Sequence, residues 1–176
     1  MNCPLCISSD TDAFLQTCQK EHGVKTDKFY WLCKNCDLIY LDSQCYLSQE
    51  QEKARYATHN NSDSDEKYKK FLNQILEPLR TRVDMGCTGL DYGCGPSVVL
   101  SRWISDMGRS CENYDPLFYP GEKKLEKQYD FVVSTEVIEH FDQTWHEFKK
   151  LNFLVKPPLE PMLVEPIINK NFLISG

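Results

Sequence analysis

The stretch Gly89-Leu90-Asp91-Tyr92-Gly93-Cys94-Gly95-Pro96 predicts a short buried strand that runs into a tight glycine turn. Glycines at the end of a strand let the backbone approach a bound molecule that a Cβ would keep away. A predicted helix over 98–107 follows, then strands over 111–114 and 131–134, and then a helix that Asp142 caps. Strands that alternate with helices predict an α/β fold with a parallel sheet and helices on its faces.

Two acidic residues flank the glycine turn. Asp91 lies on the strand itself, and Asp115 ends the next predicted strand. A dinucleotide-binding turn would have a third glycine three places after Gly95, where this chain has Val98. The two acids suit instead a ligand with a positive charge at one end and a ribose at the other, and S-adenosylmethionine is such a ligand. By itself, the glycine pattern is weak evidence for a binding site and is more typical of a tight structural turn.

Three motifs in order resemble class I S-adenosylmethionine-dependent methyltransferases over about residues 83–157. They are the glycine turn with its strand, the Tyr114-Asp115-Pro116 step, and the segment over 129–140 that contains Ser134-Thr135-Glu136. The resemblance implies a Rossmann-like sheet in which the strand acid and the turn hold the methionine part of the cofactor. The acid of the second strand takes the ribose hydroxyls, and residues after the fourth strand line the pocket. Carried over by motif, the cofactor-binding residues are Asp91, Gly93, Cys94, Gly95, Asp115, Ser134 and Thr135.

Glu136 and His140 are the candidate catalytic residues. They lie one helical turn apart just past a predicted strand end, where parallel sheets bind their ligands. Methyl transfer needs a base only when the acceptor must lose a proton, and positioning can supply the rest of the catalysis. The alternative interpretation is a helix-capping or supporting pair.

Two C-x-x-C pairs, Cys3-Pro4-Leu5-Cys6 and Cys33-Lys34-Asn35-Cys36, lie near the N-terminus. Each pair can place two thiolates on one turn, and two such turns supply the four sulfurs of a structural zinc site. A module of about 45 residues buries too little surface to fold alone, so an ion would stabilise it. A redox dithiol or unbound thiols would explain one pair but not two. Cys18, His22 and Cys45 are the alternative ligands.

The order of these features predicts three segments. Residues 1–45 form a small β zinc-ribbon module, 46–82 a helical linker, and 83–176 a shortened Rossmann-like methyltransferase domain. The arrangement resembles a bacterial subgroup with a zinc ribbon fused before the methyltransferase domain. In the linker, Ser48 opens one helix, and an apolar stripe after Asp65 predicts a second helix, kinked or ended near Pro78.

The methyltransferase core is predicted to be incomplete. The spacing from Asp115 to Asp130 leaves too little chain for a full third strand with its helices, and four prolines between 157 and 166 are incompatible with a long central strand. Residues 83–176 hold about three or four strand–helix units. We therefore expect residues 158–176 not to complete the sheet, and the isolated chain to be a weak or inactive enzyme. An uncovered sheet edge would favour homo-oligomers.

Composition narrows the class of protein. The 20 basic and 26 acidic residues give a net charge of −6, which argues against a broad nucleic-acid surface. The mean hydropathy is −0.50, and no apolar run approaches the roughly 18 residues of a membrane span. No signal sequence opens the chain, so we expect a cytoplasmic protein in which the nine cysteines stay reduced. The leading interpretation is a methyltransferase for a small-molecule or carrier-bound acceptor; a non-catalytic binding protein and an RNA methyltransferase are the alternatives.

Overall fold

The computed structural model describes residues 2–21, 24–57 and 64–157, which belong to two compact units. Among them, the first unit contains residues 2–48 and 136–149. The second contains 49–57, 64–135 and 150–157. None of the helices in these ranges is long and apolar enough to cross a membrane.

The first unit is built on a three-stranded antiparallel sheet of strands β1 (Thr11–Glu21), β2 (Val24–Cys33) and β3 (Ile39–Leu41), in the order β1-β2-β3. Aromatic and β-branched residues in these strands favour extended backbone. One small apolar cluster of this unit forms around the cysteines, and Cys3, Cys33 and Tyr40 are its buried members. The sequence prediction of a small β module is confirmed.

The second unit begins with helices α1 (Gln49–Ala57) and α2 (Glu66–Arg82). Asp65 caps α2, since its Oδ1 accepts a hydrogen bond from the Lys67 amide at 2.8 Å. α2 does not end near Pro78, which was one of the two predicted outcomes, because it continues to Arg82. Pro78 faces solvent, where water can satisfy the carbonyl it leaves unpaired, and buried Leu79 fastens the last turn to the core.

A three-stranded parallel sheet forms the centre of the second unit. Its strands are β4 (Thr88–Tyr92), β5 (Ser110–Tyr114) and β6 (Phe131–Val133), in the order β5-β4-β6. Between β5 and β6 there is only a short 3₁₀ helix, Glu122–Leu125, as the close spacing of Asp115 and Asp130 predicted. The chain passes from one side of β4 to the other, which places the topological switch point at the carboxyl end of β4.

Helix α3 (Val99–Asp106) follows the glycine turn and packs with α2 onto one face of this sheet. The resulting Rossmann-like arrangement confirms the predicted fold class, in its incomplete form. The buried apolar residues of this core come from α2, the segment after it, α3 and β6: Leu72, Leu76, Leu79, Val83, Val99, Leu100, Ile104, Phe131 and Val133.

The last helix is α4 (Thr144–Leu154). Trp145 near its start is 41% exposed, whereas Leu154 at its end is fully buried. Just after α4, Val155 forms a parallel bridge with Tyr129, which lies in the segment that leads into β6. The Lys156 amide donates to the Tyr129 carbonyl at 2.8 Å. Residues 158–176, which were predicted not to complete the sheet, lie outside the described residues.

Candidate functional site

The ends of all three parallel strands carry the polar residues that the sequence singled out. Asp91 is the penultimate residue of β4, Asp115 directly follows β5, and Ser134 directly follows β6. Asp91 and Val133 are register partners, so Ser134 lies one residue beyond the level of Asp91. The structure therefore brings these residues to the carboxyl edge of one sheet, where ligands of open α/β sheets bind.

Asp91 is a buried carboxylate with a free acceptor. Its side chain is 2% exposed, and its Oδ1 has no hydrogen-bond partner among the described residues. Burial, and then the nearby carboxylate of Asp115, raise the pKa of Asp91 to about 7. Such a group is stabilised by a cation or a hydrogen-bond donor, so its position suits the positively charged end of a ligand.

The glycine turn is attached to the end of β5 by its own backbone. The amides of Gly93 and Cys94 donate to the Tyr114 carbonyl at 2.7 and 3.1 Å. Gly93 and Gly95 have φ values of 77° and 63°, which disfavour residues with a side chain. Nothing lies within 4 Å of the position that a Cβ on Gly95 would occupy. The turn therefore leaves open space beside its backbone, as a cofactor-binding turn requires.

Asp115 is held firmly by backbone amides. Its Oδ1 accepts from Leu117 and Phe118 at 2.8 and 3.0 Å, and its Oδ2 accepts from Gly95 at 3.1 Å. A carboxylate offers about four acceptor positions, so Oδ2 keeps capacity for one more donor. Asp115 thus joins the glycine turn to the end of β5 and can still accept a hydrogen bond from a ligand.

Ser134 and Thr135 continue the chain beyond β6. The Ser134 Oγ is buried and has no partner within the described part of the chain, and Thr135 is half-buried. An unpaired buried hydroxyl is uncommon in proteins and is often found where a ligand binds. Ser134 therefore provides a second unsatisfied polar atom at this edge of the sheet.

Cys94 lies inside the glycine turn but is not a reactive thiol. Burial, followed by the carboxylates of Asp91 and Asp115, raises the pKa of Cys94 above its usual value. Its Sγ contacts the Gly95 carbonyl at 3.5 Å. A neutral thiol in this position is a small packing group.

Tyr68 lies near the site although no sequence motif singles it out. Its phenol forms a hydrogen bond with Ser97, just after the glycine turn. Burial raises the pKa of Tyr68 most, and the nearby carboxylate of Asp91 raises it further. The Tyr68 ring stacks on Phe71, with centroids 6.3 Å apart. In the sequence, Tyr68 belongs to the apolar stripe of α2 and is predicted to be a packing residue. Its hydrogen bond to Ser97 depends on where α2 packs, which the sequence does not show.

Glu136 and His140 belong to the first unit, whereas Asp91, Asp115 and Ser134 belong to the second. Glu136 is exposed and has a φ of 55°, and His140 ends a short 3₁₀ helix, Ile138–His140, instead of lying on an α-helix. Their catalytic role stays a prediction.

The four cysteines of the two C-x-x-C pairs form one cluster. All four sulfurs lie within 4.8 Å of one another. The Sγ atoms of Cys3 and Cys36 are 3.6 Å apart, and those of Cys6 and Cys33 are 3.5 Å apart. A Zn–S bond of about 2.3 Å gives sulfur–sulfur distances of about 3.8 Å in a tetrahedral site. The donor set and its dimensions therefore fit a tetrahedral zinc ion.

The two cysteine turns have the same backbone geometry. The amides of Ile7 and Asp37 donate to the carbonyls of Cys3 and Cys33 at 3.0 and 2.9 Å. The residue after each second cysteine has a positive φ, 62° for Ile7 and 59° for Asp37. Two unrelated pairs of buried thiols would not repeat this strained detail, so the repeat indicates that both turns serve one centre.

Two of the alternative metal ligands, Cys18 and Cys45, do not join this cluster. Cys18 is exposed on β1, and the Cys45 thiol donates to the Asp27 carbonyl at 3.7 Å. His22 lies outside the described residues. Within the described ranges, the four predicted cysteines are the one group of metal-ligating side chains close enough to share an ion.

The Trp145 amide donates to the Pro4 carbonyl at 2.9 Å and so attaches the start of α4 to the first cysteine turn.

A family model described as a methyltransferase domain matches residues 46–166, which is more than half of the chain. The matched region contains the glycine turn and the residues at the strand ends, and it begins after the cysteine-containing strands. No curated protein matches the chain.

Proposed function

This chain belongs to the methyltransferase-domain family, of the class I S-adenosylmethionine-dependent type, and we propose that it binds S-adenosylmethionine at the carboxyl edge of β4, β5 and β6. We further propose that it transfers a methyl group to a small-molecule or carrier-bound acceptor. When bound, the cofactor supplies an activated methyl group on a positively charged sulfur.

The observation that carries the proposal is the buried, unpaired carboxylate oxygen of Asp91 beside the open glycine turn. A buried carboxylate without a partner is costly, because desolvation penalises its charged form. A cationic ligand at this edge would relieve that penalty. S-adenosylmethionine carries positive charge at its methionine end, so it matches the side chain that most needs a partner.

The chain's own residues divide the binding between them. Asp91 would hold the cationic methionine part, and Gly95 would let the backbone approach the ligand. Asp115 would accept a ribose hydroxyl through the remaining capacity of Oδ2. Because Asp115 also accepts from the Gly95 amide, binding at the ribose would be linked to the shape of the glycine turn.

For the four-cysteine cluster we propose a structural zinc ion. The core around Cys3, Cys33 and Tyr40 is small, and a module of this size gains much of its folding free energy from a bound ion. Four thiolates complete the coordination sphere of zinc, which leaves no open position for catalysis.

Methyl transfer itself would depend chiefly on positioning. If the acceptor must lose a proton, Glu136 or His140 would serve as the base. If the acceptor is already a good nucleophile, the site needs only to hold it in line with the methyl group.

The test is titration calorimetry of the full zinc-containing chain with S-adenosylmethionine and S-adenosylhomocysteine. Asp91→Asn keeps the shape of the side chain and removes its charge, so we expect affinity to fall at least tenfold, as for a lost charge-assisted hydrogen bond. Asp106→Asn changes an exposed aspartate and is the matched control. Absence of binding by the unmodified chain would overturn the proposal.

Turnover separates the catalytic proposal from a non-catalytic binding protein. The described part of the parallel sheet has three strands, so a protein that binds the cofactor without using it is the second candidate. Transfer of labelled methyl groups to small-molecule, carrier-protein or RNA acceptors would distinguish the two, and would also test the RNA alternative.

A further inference from the structure

Asn113 is a third residue with an unsatisfied polar atom near the carboxyl edge of the sheet. Its Oδ1 is buried and has no hydrogen-bond partner in the described ranges. It lies on β5 as the register partner of Asp91 on β4. Register partners on parallel strands point to the same face, and neighbouring strands lie about 4.8 Å apart. The free oxygens of Asp91 and Asn113 therefore belong to adjacent side chains.

The backbone of Asn113 is fixed on both sides. It pairs with β4 in the parallel ladder, and its carbonyl accepts a hydrogen bond from Lys124 Nζ at 2.7 Å. Its neighbour Tyr114 accepts from the glycine turn, and the next residue is Asp115. The backbone of Asn113 is thus fixed next to the proposed cofactor site by contacts that leave the side-chain Oδ1 unpaired.

A buried acceptor with no donor calls for an explanation, because nearly all such groups in folded proteins are paired. Here a carboxylate oxygen and an amide oxygen lie side by side, and both lack donors. A hydroxyl has one hydrogen to donate, whereas a protonated primary amine has three and carries the charge that Asp91 favours. The pair therefore suits an ammonium group better than a ribose.

We propose that Asn113 is a further cofactor-binding residue that, together with Asp91, accepts hydrogen bonds from the protonated primary amine of the ligand's amino-acid part. This inference rests on the proposed function and extends it. It implies that the site selects nucleosides that carry an aminoacyl end over nucleosides that lack one.

The experiment compares two probes on the full zinc-containing chain by titration calorimetry. S-adenosylhomocysteine carries the amine, and 5′-methylthioadenosine lacks the amino-acid part. Asn113→Ala should weaken binding of S-adenosylhomocysteine about 10-fold to 100-fold, or about 1.4 to 2.8 kcal/mol, and leave 5′-methylthioadenosine unaffected. Asn73→Ala, at an exposed position on α2, is the matched control and should change neither affinity.

A second variant guards against a folding defect. Asn113→Leu keeps a similar volume, and replacing an unsatisfied buried amide by an apolar group should leave thermal stability unchanged or raise it. The same selective loss in both variants supports the inference. Equal losses for both probes, or no loss for either, would show that Asn113 is only structural, while the proposed function would stand. If the unmodified chain binds neither probe, the proposed function fails, and this inference fails with it.

Discussion

The ring of Phe131 occupies the position that a Cβ on Gly89 would take, and the two residues are register partners on β6 and β4. Gly89 is buried in the centre of the sheet and does not have a positive φ. Position 89 therefore needs a glycine for packing, since the absence of a Cβ lets the Phe131 ring cross the middle strand. This contact fixes β6 against β4, in the register that pairs Asp91 with Val133.

We predict that Gly89→Ala lowers the free energy of unfolding by about 1 to 3 kcal/mol, the usual cost of overpacking a core. A smaller side chain at the opposing position should relieve the clash. In the Gly89→Ala, Phe131→Leu double variant, part of the lost stability should therefore return. Urea denaturation of the two single variants and the double variant measures this coupling, and simple addition of the two single losses would contradict the packing explanation.

The raised pKa of Asp91 makes a prediction about stability and pH. In the folded chain this carboxyl binds its proton up to about pH 7, whereas an ordinary aspartate releases it near 3.8. The folded state therefore binds more protons in this interval, so the contribution of Asp91 to the free energy of unfolding decreases as pH rises from about 4 to 7. Asp91→Asn should remove this contribution, which is about 1.4 kcal/mol for each unit of pKa shift. Urea titrations at several pH values measure it, and parallel pH profiles for the two proteins would contradict the assignment.

Cofactor binding should show the opposite dependence on pH. The ionised form of Asp91 is the one that attracts a cationic ligand, so affinity for S-adenosylhomocysteine should rise between pH 6 and 8, by at most tenfold per unit. The Asp91→Asn variant should bind weakly and with little pH dependence over the same range. An affinity that is independent of pH in the unmodified chain would show that Asp91 does not bind the cation.

Asp115 and Cys94 provide a second comparison within the site. Asp115→Ala removes the acceptor proposed for the ribose and also the hydrogen bond from the Gly95 amide. Cys94→Ala removes only a neutral thiol. We predict that the aspartate variant weakens binding of S-adenosylhomocysteine about 10-fold to 100-fold more than the cysteine variant does. Equal affinities in calorimetry would mean that the end of β5 does not contact the ribose.

Much of the second unit follows from local sequence. An apolar stripe at helical spacing predicted α2, and the glycine turn with Asp91 predicted β4 and the start of α3, because these signals act over a few neighbouring residues. The continuation of α2 through Pro78 did not follow, since it depends on burial of Leu79 against a distant part of the chain. Tertiary packing outweighed a local helix breaker there.

The same limit applies to the site. Asp91 and Asp115 were predicted from their places relative to the glycines, and the four cysteines from their paired spacing. Asn113 and Tyr68 carry no such pattern. Their relation to Asp91 arises from the strand register and from the packing of α2, and both are properties of the assembled sheet that single-residue spacing does not encode.

The last prediction concerns the metal. The unmodified chain should contain one zinc ion for each molecule, because four sulfurs are already arranged at tetrahedral distances on two matching turns. Cys33→Ser, Cys36→Ser removes one complete turn of ligands. Cys18→Ser, Cys45→Ser also removes two thiols but lies outside the cluster, so it is the matched control.

Elemental analysis after purification without chelator should find zinc in the unmodified chain and the control, and none in the Cys33→Ser, Cys36→Ser variant. Binding of a structural zinc ion is worth roughly 10 to 16 kcal/mol, more than the small core around Cys3 and Tyr40 can replace, so the first unit should unfold in that variant. Amide hydrogen exchange over residues 24–41 would show the loss of protection on β2 and β3. Zinc retained by the Cys33→Ser, Cys36→Ser variant, or lost from the control, would show that other residues hold the ion.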